Sequence, residues 1–200
     1  LSTVLMHFNT IAQNKAKTRQ PVVPDHQVVT FKKLAEDAGI SFTMPDNFKS
    51  IKVINSENLS FDYAMTMPGH TFEILFNVQS VKPDWDNYEH NKNTPGRIVP
   101  NPDSSYLDAS QAQAATLSAE SKYFVRNVSP HILTQFNADA GKTYLVNLQD
   151  LPETHHYKYA LIFALEKNRI GYFTAVCLTN DKGPEFYRTI NQARSCIKFN

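Results

Sequence analysis

The chain has 200 residues, 20 of them Lys or Arg against 19 Asp or Glu, and a net charge of +1. That balance excludes an extended basic footprint for nucleic acid, and no run of five or six like charges makes an acidic tail or a basic arm. Some 42% of residues are hydrophobic, enough for one sizeable core, but no stretch approaches the 18 or so apolar residues of a membrane span.

Residues 1–12 read as the tail of a secretory signal peptide. Leu1 to Phe8 is short and apolar, and Thr10 and Ala12 are the small residues a signal peptidase favours, with the cut after Ala12. The expected location is therefore periplasmic or secreted. Residues 13–37 are read as a polar leader, holding Pro21 and Pro24 and at most a short helical turn, Phe31 to Gly39, at its end. A single α+β domain is then expected over 38–200.

Two short strands open that domain, Ile40–Met44 and Phe48–Ile54. Phe61, Tyr63, Met65 and Met67 then alternate with polar or small residues, and Phe72, Ile74, Phe76 and Val78 repeat the pattern after Pro68-Gly69-His70. Period two on both sides of a Pro-Gly turn predicts a β-hairpin over 61–67 and 72–81. Residues 82–104 break every periodicity and read as a long loop, a type that is commonly functional.

Leu107, Ala114, Leu117, Phe124 and Val128 share a helical stripe, which predicts one helix over 105–127, capped by Asp103 or Ser104 and ended by Ser129-Pro130. A strand is expected at Thr143–Leu148. Tyr157–Leu165 and Ile170–Leu178 follow as two long strands joined by Asn168-Arg169. The first is apolar on both faces, so it should be central and covered twice. Pro184 suits the first position of a last helix, with Phe186, Ile190 and Ala193 on one side. Ser195–Phe199 adds a short final strand.

This order predicts an antiparallel β-sheet flanked by helices, an α/β/α sandwich. Ile40 to Phe48 at the front, the paired strands over 156–178, and the helix leading into Ile197-Lys198-Phe199 together resemble the PsbP-like fold over residues 38–199. Members of that fold include a lumenal photosystem II subunit and a nuclear-import factor that binds a small GTPase. The resemblance implies an accessory or binding protein, nearest to exported bacterial domains, and carries no partner across. Asn137-Ala138-Asp139-Ala140-Gly141 is similar to a segment recurrent in such domains.

No motif with a strong mechanism is present: no GxSxG, Walker loop, HExxH, CxxC or Rossmann fingerprint. No cofactor, catalytic group or metal site is expected. With six glycines in the chain, a phosphate cradle built from backbone amides is hard to place. His155-His156 lacks a carboxylate at ligand spacing, and strand neighbours point to opposite faces. Asp84, Asp86, Glu89 and His90 miss the oxygen and glycine positions of a calcium loop. Trp85 and Tyr88, flanked by Asp84 and Asp86, remain as a binding platform for a small molecule or a protein, unless Trp85 folds back to pin the loop onto the core. Cys177 and Cys196 are candidates for a disulfide in an oxidising compartment, or else two small buried hydrophobes. Asn58-Leu59-Ser60 and Asn127-Val128-Ser129 are glycosylation sequons. Three functions stay open: a non-catalytic exported binding or accessory protein, a hydrolase or other enzyme using a site around Asp139, His131 and His155, and a purely structural or envelope-associated domain.

Overall fold

The computed structural model of the protein describes residues 26–200, so the signal peptide reading of residues 1–12 lies outside the described residues. In chain order the elements are α1 (His26–Asp37), β1 (Ile40–Phe42), β2 (Lys49–Ser50), β3 (Tyr63–Thr66), β4 (Phe72–Ser80), α2 (Lys82–Asn91), α3 (Ser105–Leu117), β5 (Ser118–Asn127), α4 (Pro130–Phe136), β6 (Ala140–Leu148), β7 (Tyr159–Lys167), β8 (Gly171–Thr179), α5 (Pro184–Ala193) and β9 (Ile197–Phe199). The protein is α+β: a seven-stranded antiparallel sheet, ordered β2-β3-β4-β8-β7-β6-β5, with helices packed on it. A second small ladder joins β1 to β9, with Ile40 opposite Phe199.

The alternating strands position everything else. Tyr63 pairs with Phe76 and Met65 with Ile74 across the β3–β4 hairpin, as period two predicts. Tyr63, Met65, Ile74, Phe76, Phe173 and Cys177 face one core, shared with α1, α4, α5 and the β1–β9 ladder. Ala64, Leu75, Val146, Ile162, Val176 and Leu178 face the other, under α3. The expectation that β7 is covered on both faces holds. It lies inside the sheet, and Ile162 and Leu165 are both fully buried on opposite sides.

Four expectations are corrected. Residues 26–37 are no leader but the 12-residue helix α1. Its Phe31 is fully buried, stacked on Tyr63 at 4.8 Å and edge-on to Phe42 at 4.9 Å. One such ring contributes roughly 1.5–3 kcal/mol by burial alone. The second strand shrinks to Lys49–Ser50; beyond it, Asn55 bonds both the N–H and the C=O of Phe61, holding the chain in a loop. Residues 82–104 are not all loop, because 82–91 are α2, started by Pro83 in its first turn. The predicted helix 105–127 stops at Leu117. Ser118–Asn127 is instead the edge strand β5, broken by a bulge where Ser118 Oγ donates to the Lys122 carbonyl and accepts its N–H. Pro130 opens α4 rather than ending a helix.

Candidate functional site

The residues expected to form a binding platform sit on α2. Asp84 and Asp86 are exposed on its outer side, on a helix rather than a calcium-type loop. Trp85 and Tyr88 are half-buried and meet edge-to-face at 5.1 Å. Trp85 donates its indole N–H to Asp103 at 2.7 Å, and the Arg169 guanidinium lies over its ring at 4.6 Å. The indole is thus pinned to the body of the protein on one edge and one face.

The groups of the hydrolase reading do not converge. His131 contacts Gln135 one turn along α4. Asp139 sits at the far end of β7, where its N–H donates to the Glu166 carbonyl and its carboxylate accepts from Lys167 and Asn168. His155 sits at the near end, 2.6 Å from Glu73, which lies level with Ala160 through Leu178. Six residues of strand, at about 3.3 Å each, put Asp139 and His155 about 20 Å apart. The two histidines also occupy a turn, both with left-handed backbone (φ 48° and 61°), rather than a strand entrance. Each has found a carboxylate that spacing alone did not show: Glu73 for His155 and Asp150 for His156. Tyr157, beside Glu73, has its hydroxyl pushed up to about 12 by burial first and then by that carboxylate. Among the described residues no group of three or more His, Cys, Asp or Glu is placed to hold a metal ion.

The segment Asn137 to Gly141 is structural. Asn137 adopts the left-handed conformation (φ 52°) that ends α4, and its side chain donates to the Asn200 carbonyl at 2.9 Å. Asp139 caps the β7–β8 turn. At Gly141 a Cβ would stand 2.4 Å from a methyl of the fully buried Leu165.

A mostly apolar cleft lies between α4, α5 and the sheet, a cavity of about 70 Å³ that opens to solvent. Strand alternation aims Ile74 and Phe76 of β4, Phe163 of β7, and Phe173, Ala175 and Cys177 of β8 into it. Ile132, Gln135 and Phe136 line it from α4, and Ile190, Ala193 and Arg194 from α5 and its end, both at helical spacing. Ala175 and Ala193 leave the space open where larger side chains would close it. Cys177 and Cys196 form part of the wall and are both free, so the structure holds no disulfide between them. Burial pushes the Cys177 thiol far up, with Cys196 adding to it, and pushes Cys196 to about 12. Both are therefore neutral thiols and poor nucleophiles. Gln135, Asn191 and Arg194 are the exposed members of the lining and mark its mouth.

A second unusual group lies on the opposite face. Glu166 is 2% exposed, and its Oε1 has no hydrogen-bond partner. Burial, then the nearby Asp103 and Asp139 carboxylates, push its carboxyl up to about 7. Tyr106, close by, is raised to about 12 by burial, Glu166 and Tyr144.

Compared with known protein families and with curated proteins, the chain matches none. Among the described residues no helix is long and apolar enough to cross a membrane. The sequence reading missed the cleft. Its lining comes from six elements spread over residues 74–197, and of these residues only the two cysteines stand out in the sequence for their chemistry.

Proposed function

We propose that this is an exported, non-catalytic binding protein of PsbP-like fold, whose cleft between α4, α5 and the sheet takes a small apolar ligand. The observation that carries this is the cleft itself: four phenylalanines and four isoleucines from separate elements surround a cavity of about 70 Å³ that opens to solvent. Binding sites for small molecules are commonly concave and mostly apolar, with a few polar groups at the edge. Both thiols in the wall are neutral, which favours a binding wall over a nucleophile. The order of strands and helices supports the PsbP-like reading, and the apolar segment Leu1–Phe8 supports export.

The test is a thermal-shift titration of the full chain with straight-chain alcohols of two to six carbons. A ligand that binds only the folded state raises the melting temperature by mass action. The expected result is a rise that grows with chain length and disappears in Ile190→Trp, which fills the cleft from a half-buried helix position. No rise at any chain length overturns the proposal.

A further inference from the structure

We infer that a polar groove on the α3 side of the sheet binds a neutral ring polyol, a monosaccharide or a cyclitol. The groove lies across the sheet from the cleft between α4 and α5 and does not depend on that reading.

Alternation puts Leu75, Asn77 and Gln79 of β4 on the face under α3. The β8 residues in register with them are Val176, Thr174 and Tyr172. Leu75 and Val176 belong to the core. From the Asn77–Thr174 pair onward the same face turns polar, although Thr174 is still only 3% exposed. A polar side chain at a buried position of an otherwise apolar face is the informative exception. Here the sheet opens into a groove of about 400 Å³, within the roughly 300–1,000 Å³ of small-molecule sites. α3 forms the other wall with Ala109, Ala112, Gln113 and Thr116, which helical spacing brings to one side. Asp62, just before β3, lines it from the end.

The polar groups are held in place before any ligand arrives. Asn77 donates its amide to the Ser60 carbonyl at 2.8 Å, and its Oδ1 accepts from Gln113 at 3.0 Å and from the Thr174 hydroxyl at 3.5 Å. Asp62 accepts the Val78 N–H at 2.8 Å through one oxygen, which leaves the other for a ligand. The Gln113 carbonyl oxygen is buried with no partner, an uncommon state that a hydroxyl donor would relieve. Groups fixed in this way lose little freedom on binding.

Charge and group type select the ligand. Among the lining residues Asp62 alone is charged, and no Lys, Arg or His stands among them, so a carboxylate or phosphate would meet no countercharge. The rest of the polar lining is four side-chain amides and four hydroxyls. That mixture of donors and acceptors suits a molecule whose groups both donate and accept, which is the property of hydroxyls. Tyr172 adds an aromatic ring for the C–H face of a sugar.

The experiment is saturation-transfer NMR titration of the full chain at pH 6 with glucose, galactose, mannose and myo-inositol, beside gluconate as the anionic and glucosamine as the cationic counterpart. At least one neutral compound is expected to bind, gluconate about tenfold more weakly or worse, and glucosamine no more tightly than the neutral sugars. Asn77→Ala is expected to weaken binding about tenfold, by removing the centre of the network. Ala112→Trp, at an exposed position of α3, fills the groove without touching that network and is expected to abolish binding, which keeps the test decisive should Asn77→Ala fail to fold. Ile190→Trp, which blocks the cleft, is expected to leave sugar binding unchanged. Binding of none of the four neutral compounds, or binding that survives Ala112→Trp, overturns the inference. A preference of about tenfold for glucosamine that disappears in Asp62→Asn overturns the neutral assignment and makes the groove an amine site.

Discussion

Asp103 accepts the indole N–H of Trp85 at 2.7 Å and, through the same oxygen, the backbone N–H of Arg169 at 2.8 Å. One carboxylate thereby ties α2 to the β7–β8 turn, where Arg169 lies 66 residues beyond Asp103 in sequence. α2 buries no residue of its own, so this bond and the Arg169 guanidinium over the ring stand in for the apolar stripe that a packed helix ordinarily has. Asp103→Ala leaves two donors without their acceptor. The expected cost is about 1–3 kcal/mol of stability. Trp85 is the one tryptophan in the chain, so its emission reports the change directly. The emission maximum should move to longer wavelength under native conditions, and Asp103→Asn, which keeps an oxygen acceptor, should move it less. An unshifted spectrum in Asp103→Ala would mean that packing alone holds the ring.

Glu166 makes the protein's stability depend on pH in a direction opposite to that of an ordinary paired carboxylate. In the folded chain its carboxyl is pushed up to about 7, from an ordinary value of 4.5. Below pH 4.5 the group is protonated in both folded and unfolded chains and costs nothing. As pH rises from 4.5 towards 7 the unfolded chain releases the proton while the folded chain keeps it, which favours unfolding. Above 7 the cost levels off, at most on the order of 3 kcal/mol. Glu166→Gln removes the charge at similar volume. Urea unfolding should show it more stable than the parent by about 1–3 kcal/mol at pH 8, with the gain shrinking to near zero at pH 4.5. A gain of equal size at both pH values would trace it to packing rather than to ionisation.

These two groups show what could and could not be read from the residues alone. Where a strand has one buried face, alternation is a direct record of structure, and the β3–β4 hairpin follows it residue by residue. The β7–β8 pair is equally plain, because strands covered on both sides are apolar throughout. β5 reads as helix because it is an edge strand with little buried face. Phe124 is 60% exposed and Val125 49%, so no alternation marked the segment, and Phe124 fell by chance on the stripe of α3. α2 reads as loop because a helix that buries nothing carries no apolar period. α1 is faint in the sequence because two buried side chains, Phe31 and Ala35, are too few to stand out in a polar run. The cleft was hidden for another reason. It exists only once β4, β7 and β8 are side by side and α4 and α5 lie on them, and no local spacing records that.

The two cysteines should behave as buried hydrophobes. Both lie in the wall of the cleft and both are held as neutral thiols by burial. Modification by a thiol-specific disulfide reagent at pH 8 should be slow in the native protein, at least a hundredfold slower than in denaturant, because the attacking species is the thiolate. A bound apolar ligand should slow it further. Rapid native reaction of either thiol would show that the cleft opens deeply to solvent.

Gly171 is expected to be the least replaceable glycine, for reasons of space rather than conformation. A Cβ there would stand 2.5 Å from the Gln79 carbonyl oxygen and 2.9 Å from that of Ala38. Both are backbone atoms, one on β4 and one just past α1, so no change of side-chain rotamer relieves the clash. Either the β4–β8 ladder must part at its end or α1 must lift from the sheet, carrying Phe31 out of its place against Tyr63. Gly171→Ala should cost more than about 2 kcal/mol. Gly69 provides the comparison. It has φ +82° in the β3–β4 turn, and nothing lies within 4 Å of an added Cβ. Gly69→Ala therefore meets only backbone strain, about 1–2 kcal/mol. Urea midpoints of the two variants should fall in that order, and amide exchange in Gly171→Ala should quicken first in α1. The reverse order would show that α1 is not locked to the sheet through this close approach.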